Sequence, residues 1–140
     1  MGIKFSKNKS NKDKSIDFNL KYDYAFLNAM KFYLEKVTKQ QEIKKRLMLH
    51  ESLNIDKGII FYINPGENTE ICINPRFPFD FIFLKENIIT KIHHYVPNID
   101  INTKSYLINV NINTADRVIK INGGLSRDLG LKKGDYVLFY

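Results

Sequence analysis

The chain has one cysteine and no tryptophan among its 140 residues. A single cysteine, Cys72, excludes an intrachain disulfide framework and the small stapled folds that depend on one. Long apolar runs are also missing. None approaches the ~20 residues that a membrane-spanning helix requires. The N-terminal stretch carries positive charge without the uninterrupted apolar segment of a secretory leader. The expected location is the cytoplasm. Ligands for metal are scarce: His50, His93, His94 and Cys72 show no standard zinc spacing. Glycine is present without a phosphate loop. Lys133-Gly134-Asp135 has the wrong order for Gly-Lys-Ser/Thr and precedes a strand. Gly123-Gly124, Gly130 and Gly134 are therefore read as turn and cap residues, and no cofactor or metal is expected.

What is present is apolar material and lysine. Hydrophobic residues make up 44% and aromatics 13%, enough for one real core. The formal charge is +7, but it is unevenly spread. Residues 1–21 hold six lysines against two aspartates. From Ser6 to Ser15 lysine, asparagine and serine dominate with no apolar periodicity. Such a segment cannot bury enough surface to offset its ordering entropy. Residues 1–16 are expected to be a basic disordered tail, and residues 17–140 a single β-rich domain. The opening Met1-Gly2 with Ser6 fits a loose N-myristoylation pattern, for which chance is the plainer account.

Residues 17–30 are ambiguous, because Ala25, Phe26, Ala29 and Met30 have helical spacing. The stretch from Lys31 to Val37 alternates like a strand. Thr38 with Gln41 forms a capping box for a helix from about Lys39 to Leu49, with Ile43 and Leu47 on its buried stripe. Strands are then expected at 59–63, 70–73, 79–84, 88–96, 106–112, 117–121 and 136–139. Turns fall at Asn64–Asn68, Lys85–Asn87 and Asn122–Gly124. A short helix at 125–129 should end at a left-handed Gly130. Many short strands with frequent turns point to a mostly β domain, a small barrel or sandwich.

Three blocks in order resemble a known family. Lys45-Arg46-Leu47-Met48 with Glu51-Ser52-Leu53 leads into Gly58-Ile59-Ile60-Phe61. Asn74, Pro78 and Asp80 stand ahead of Phe81-Ile82-Phe83-Leu84. Gly124, Leu129-Gly130 and Gly134-Asp135 close the domain after Val118-Ile119-Lys120-Ile121. From about residue 32 to 139 this is similar to the bacterial and archaeal family called domain of unknown function 192. Arg46 departs from the usual glycine, and Ile71, Cys72, Ile73 and Pro75 replace the residues usual around Asn74. The resemblance implies a compact barrel-like β fold with short helices and implies no activity. It also implies exported relatives, whose leader this chain is not expected to share.

The residues leave several functional readings open. Asn74 and Asp80 are the main candidates for ligand binding, with Arg76 and His93 beside them. The plainer role for Asn74 and Asp80 is to satisfy backbone N–H groups in a tight loop. His93 and His94 point to opposite faces of a strand, so they cannot easily share one metal. Cys72, between Ile71 and Ile73, reads as a small buried hydrophobe rather than a nucleophile. The first functional reading is a binding or interaction module without a catalytic motif, its partner a small molecule or a protein. A second is nucleic-acid association through Lys4, Lys7, Lys9, Lys12 and Lys14, which would be sensitive to salt. A third is a small enzyme in which Asn74 and Asp80 meet His93 or His94 in one concave site.

Overall fold

Period-two patterns of Ile, Phe, Val and Tyr dominate the chain, and side chains with that period favour pleated, half-buried strands. The computed structural model describes residues 22–39, 43, 53–74, 77–95 and 104–140. They form β1 (Tyr22–Leu27), β2 (Met30–Val37), β3 (Lys57–Tyr62), β4 (Thr69–Ile73), β5 (Phe79–Lys85), β6 (Ile88–His93), β7 (Tyr106–Val110), β8 (Arg117–Asn122) and β9 (Leu138–Phe139). A short helix, α1 (Leu125–Asp128), lies between β8 and β9. The domain is mostly β, as expected. No helix among the described residues is long and apolar enough to cross a membrane.

Seven strands form one sheet in the order β6-β5-β8-β3-β2-β1-β9, and β4 pairs with β7 in a second, small sheet. All large-sheet pairs are antiparallel except β2–β3. A parallel pair needs a crossover connection, usually helical. Residues 38–56 provide it. The helix expected at 39–49 falls mostly outside the described residues. Ile43 is described: it is fully buried, and its N–H bonds the Lys39 carbonyl at 2.9 Å, the i to i−4 spacing of a helix.

Over residues 22–30 the ambiguity resolves against a helix, while residues 17–21 lie outside the described residues. β1 and β2 form a hairpin in register from Tyr22↔Glu35 to Leu27↔Met30. Asn28 turns it with φ of 55°, a conformation asparagine tolerates better than most residues. Ala25, Phe26, Ala29 and Met30 have helical spacing, but the buried Ala25 and Leu27 alternate with Phe26, and cross-strand pairing decides. In the β5–β6 hairpin Glu86 and Asn87 both take positive φ, as a two-residue turn matched to strand twist requires.

The sheet buries both faces at its centre. On one face Phe79, Phe81 and Phe83 of β5 meet Ile71, Ile73 and Val110 of the small sheet, with Phe61 and Val118 between. On the other face Ile82 and Leu84 of β5 pack with Ile60, Phe32, Leu34, Ala25, Leu27 and Ile121. That second face closes on itself. β9 pairs with β1. The residues just before β9 reach β6: Gly134 N–H bonds Ile89 O at 2.8 Å, Ile89 N–H bonds Asp135 O at 2.8 Å, and Val137 N–H bonds Asn87 O at 2.8 Å. The two sheet edges are joined through this segment, and the sheet curls into a barrel-like wall.

Cys72 corrects one expectation. It is only half-buried. Ile71 and Ile73 both point into the core, so alternation sends the residue between them to the outer face.

Gly58 sits where β3 packs most tightly. A Cβ there would lie 2.7 Å from Lys120 O and 2.9 Å from side-chain atoms of Ile121 and Leu34. Gly58→Ala is expected to destabilise the domain by about 1–3 kcal/mol, the usual cost of overpacking. Urea denaturation would show it, and an unchanged midpoint would mean that β3 can shift freely.

Candidate functional site

The site grows from the entry to β5. Pro78 precedes the strand, and Gly123 N–H bonds the Pro78 carbonyl at 2.6 Å. That approach is possible because position 123 has no side chain. A Cβ would meet the Pro78 backbone at 2.7 Å and Tyr95 Cβ at 2.9 Å. Gly124 follows with φ of 92° and begins α1 without a side-chain cap of its own. Asp80 of β5 supplies the missing acceptor. Its carboxylate is fully buried. It accepts from Tyr95 N–H at 2.6 Å, Gly124 N–H at 3.1 Å, Ser126 N–H at 2.9 Å and the Ser126 hydroxyl at 2.5 Å. Burying a carboxylate costs several kcal/mol. Hydrogen bonds to a charged group contribute about 1.5–3 kcal/mol each, so four donors suffice to offset it.

Ser126 carries the chain outward. It is fully buried, and its Oγ lies 2.7 Å from His94 Nδ1. The serine has one hydroxyl proton, and it points to Asp80. His94 Nδ1 must therefore be the protonated nitrogen of that pair, donating to Ser126. The order Asp80–Ser126–His94 differs from a hydrolytic triad, where the histidine stands between the other two and takes the serine proton. Here Ser126 is buried and its proton is held by the carboxylate.

Beyond α1 the chain turns sharply. Gly130 takes φ of 68°, its N–H bonds Arg127 O, and Leu131 N–H bonds Ser126 O at 2.9 Å. This pair of bonds is a Schellman end, and Leu131 docks in the core. Lys132 and Lys133 then run alongside β6, held by Gly134 N–H on Ile89 O and by Lys132 N–H on the Asp135 carboxylate at 3.0 Å. On the facing side the pairing of β5 with β6 skips Thr90, a bulge between Phe83 and Leu84. Between the two lies an open groove of about 500 Å³ bordered by Thr90, Lys91, Ile92, His94, Leu131 and the two lysines.

His93 faces the other way. Its ring lies near Phe81 and Tyr106, and the Tyr106 oxygen is 3.4 Å from Nδ1. The expected opposition of the two histidines therefore holds. Asn74 directly follows β4, and its carbonyl accepts from Phe77 N–H at 3.0 Å. It lines neither this groove nor a second hollow of about 540 Å³ bordered by Tyr33, Leu53, Asp56 and Gly58. The structure joins Asp80 to His94 through Ser126, and Asn74 has no part in that chain of bonds. Arg76, His50, Lys4, Lys7, Lys9, Lys12 and Lys14 lie outside the described residues. No group of three or more metal-ligating side chains occurs among the described residues. Sequence reading missed Ser126, Lys132 and Lys133. The available signal was Gly123-Gly124 ahead of a short helix, which brings backbone donors and the next hydroxyl to one acceptor.

Asp80→Ala would leave buried donors unpaired. It should cost roughly 3–5 kcal/mol and loosen residues 123–126, seen as lost amide protection there. Wild-type stability would show that the carboxylate is dispensable. His93 gives a second test. Burial pushes its titration below the ordinary 6.5, against the opposing pull of Asp80 and with help from Lys91 and His94. The unfolded chain then takes up the proton first, so this contribution is complete above about pH 6.5 and is lost as pH falls towards the folded value. His93→Phe should flatten that part of the stability–pH curve. An identical slope in the variant would rule His93 out as its source.

Comparison with known proteins gives the same picture. None of the curated proteins matches. A crystal structure of a protein of unknown function from Novosphingobium aromaticivorans DSM 12444 superposes with a TM-score of 0.64 at 26% identity, covering 84% of this chain and 82% of that one. A Sinorhizobium meliloti 1021 protein described as "a putative transcription regulator" gives a TM-score of 0.62 at 20% identity, covering 84% and 92%. The family model of DUF192, Uncharacterized ACR, matches residues 25–139. With the match running from within β1 through the Asp80 anchor to the closing segment, the chain belongs to this family of uncharacterised conserved proteins.

Proposed function

We propose that this protein is a non-catalytic binding module, with its ligand seated in the groove between β6 and residues 131–133. The observation that carries this reading is the saturation of Asp80. Both oxygens are engaged by four donors, which leaves no lone pair suited to general-base work. Asp80 is on this reading a positioning residue, and His94 replaces His93 as the histidine at the ligand. Asn74 and Arg76 stay candidates for ligand binding. Residues 17–140 act as the domain and residues 1–16 as a basic tail, in a cytoplasmic protein.

A second reading is nucleic-acid association through Lys4, Lys7, Lys9, Lys12 and Lys14. It is favoured by the net charge and by one aromatic patch. The Lys31 ammonium lies 5.2–5.4 Å from the ring centres of Tyr24, Tyr33 and Tyr140. Rings on a sheet face beside lysine can stack bases. The regulator description of the Sinorhizobium meliloti protein points the same way.

A thermal-shift screen of the full chain against nucleotides, sugars, metals and short oligonucleotides separates the two. A ligand at a hundred times its dissociation constant stabilises by about 2.7 kcal/mol, a shift on the order of 5–10 °C for a domain of this size. The groove reading expects such a shift from a small molecule, reduced in His94→Gln. A shift from oligonucleotides alone, steeply weakened by salt and absent without residues 1–16, would replace it with the second reading.

A further inference from the structure

We infer that the groove takes a small ligand carrying an oxyanion, a phosphate or a carboxylate group, held between Lys132, Lys133 and His94. The inference deepens the binding-module reading and rests on it.

Charge is the first argument. Lys132 and Lys133 are adjacent and exposed, and neither ammonium has a carboxylate partner among the described residues. The nearest acid on their loop, Asp135, is engaged with the Lys132 backbone N–H. The loop itself is pinned to β6 through Gly134 and Ile89, so the two cations are carried on a fixed backbone. Lys91 also borders the groove, although its ammonium lies 5.6 Å over the Phe83 ring. An anion relieves the repulsion between neighbouring ammonium groups and costs the backbone no rearrangement.

The second argument is the fixed histidine. Because Ser126 gives its proton to Asp80, Nδ1–H of His94 is already committed to Ser126 Oγ. The other ring nitrogen, Nε2, has no partner in that chain. With Nδ1 spent on Ser126, Nε2 is the ring nitrogen left for a ligand, and it donates to an oxyanion when it too carries a proton. The buried carboxylate two bonds away holds the ring in place for that task. Size is consistent as well. A volume of about 500 Å³ suits a small metabolite, and Ile92 and Leu131 offer apolar wall to the part of the ligand behind its charged group.

The test is an NMR titration of the full chain at low ionic strength with inorganic phosphate, then citrate, then glycerol as a neutral control. Saturable shifts are expected at the amides of residues 131–134 and at the His94 ring, with phosphate, citrate or both, and none with glycerol. The double variant Lys132→Ala, Lys133→Ala changes exposed side chains only and should fold. It should weaken binding at least tenfold, and His94→Gln several-fold. If phosphate and citrate instead shift lysines over the whole surface without saturating, the site does not exist. A neutral compound from the screen that seats in the groove equally well in the double variant would overturn the oxyanion class while leaving the binding module intact. If no compound of either kind perturbs the groove, both fall.

Discussion

A carboxylate buried out of water must be surrounded by donors, and at Asp80 this requirement organises one end of the domain. The donors come from the segment after β6, from the glycine pair after β8 and from the first turn of α1. Two stretches distant in sequence, around Tyr95 and around 124–126, are thereby brought to one point on β5. The helix has no cap of its own, so its start depends on a residue more than forty positions earlier. Its Schellman end then sets the direction of Leu131 and the lysines after it. The groove thus rests on two supports: the buried charge that starts α1, and the bonds of Gly134 and Asp135 to Ile89 that hold the following segment against β6.

The sheet around this anchor is held by close approach as much as by side-chain volume. Gly58 and Gly123 are both positions where a methyl group would collide with backbone. Between them, β8 can lie tightly against β3 and the β5 entry. Lys120 shows the converse. Its stem is buried in the aromatic layer, with its ammonium 4.0 Å over the Phe79 ring. A long side chain fits a core position when its charge meets a π face.

Much of this architecture was legible in the chain. Runs such as Ile59–Ile63 and Phe79–Leu84 have the composition and length of buried strands, and Gly130 was readable as a helix stop. The family blocks located Asp80 and the closing glycines. Less legible was whatever depends on pairing. Helical spacing at Ala25, Phe26, Ala29 and Met30 competes with a hairpin, and only the partner strand settles it. Cys72 was read from its neighbours' chemistry when alternation was the better guide. His94 and Ser126 belong together only because α1 starts on the Asp80 carboxylate, a contact across 46 positions that no local pattern announces.

The joining of the sheet edges has a kinetic side. Ala25 and Phe139 are strand neighbours although nearly the whole described chain separates them. Contacts of such long range close slowly, because loop entropy is lost before pairing compensates it. Until β9 arrives, β1 offers an unsatisfied edge to any passing strand. The two-residue β9 is small, but it decides whether that edge ends inside its own barrel or against a second molecule. By pairing with Ala25 and Phe26, Leu138 and Phe139 cover part of an edge that would otherwise be open to strand exchange, an effect out of proportion to their number.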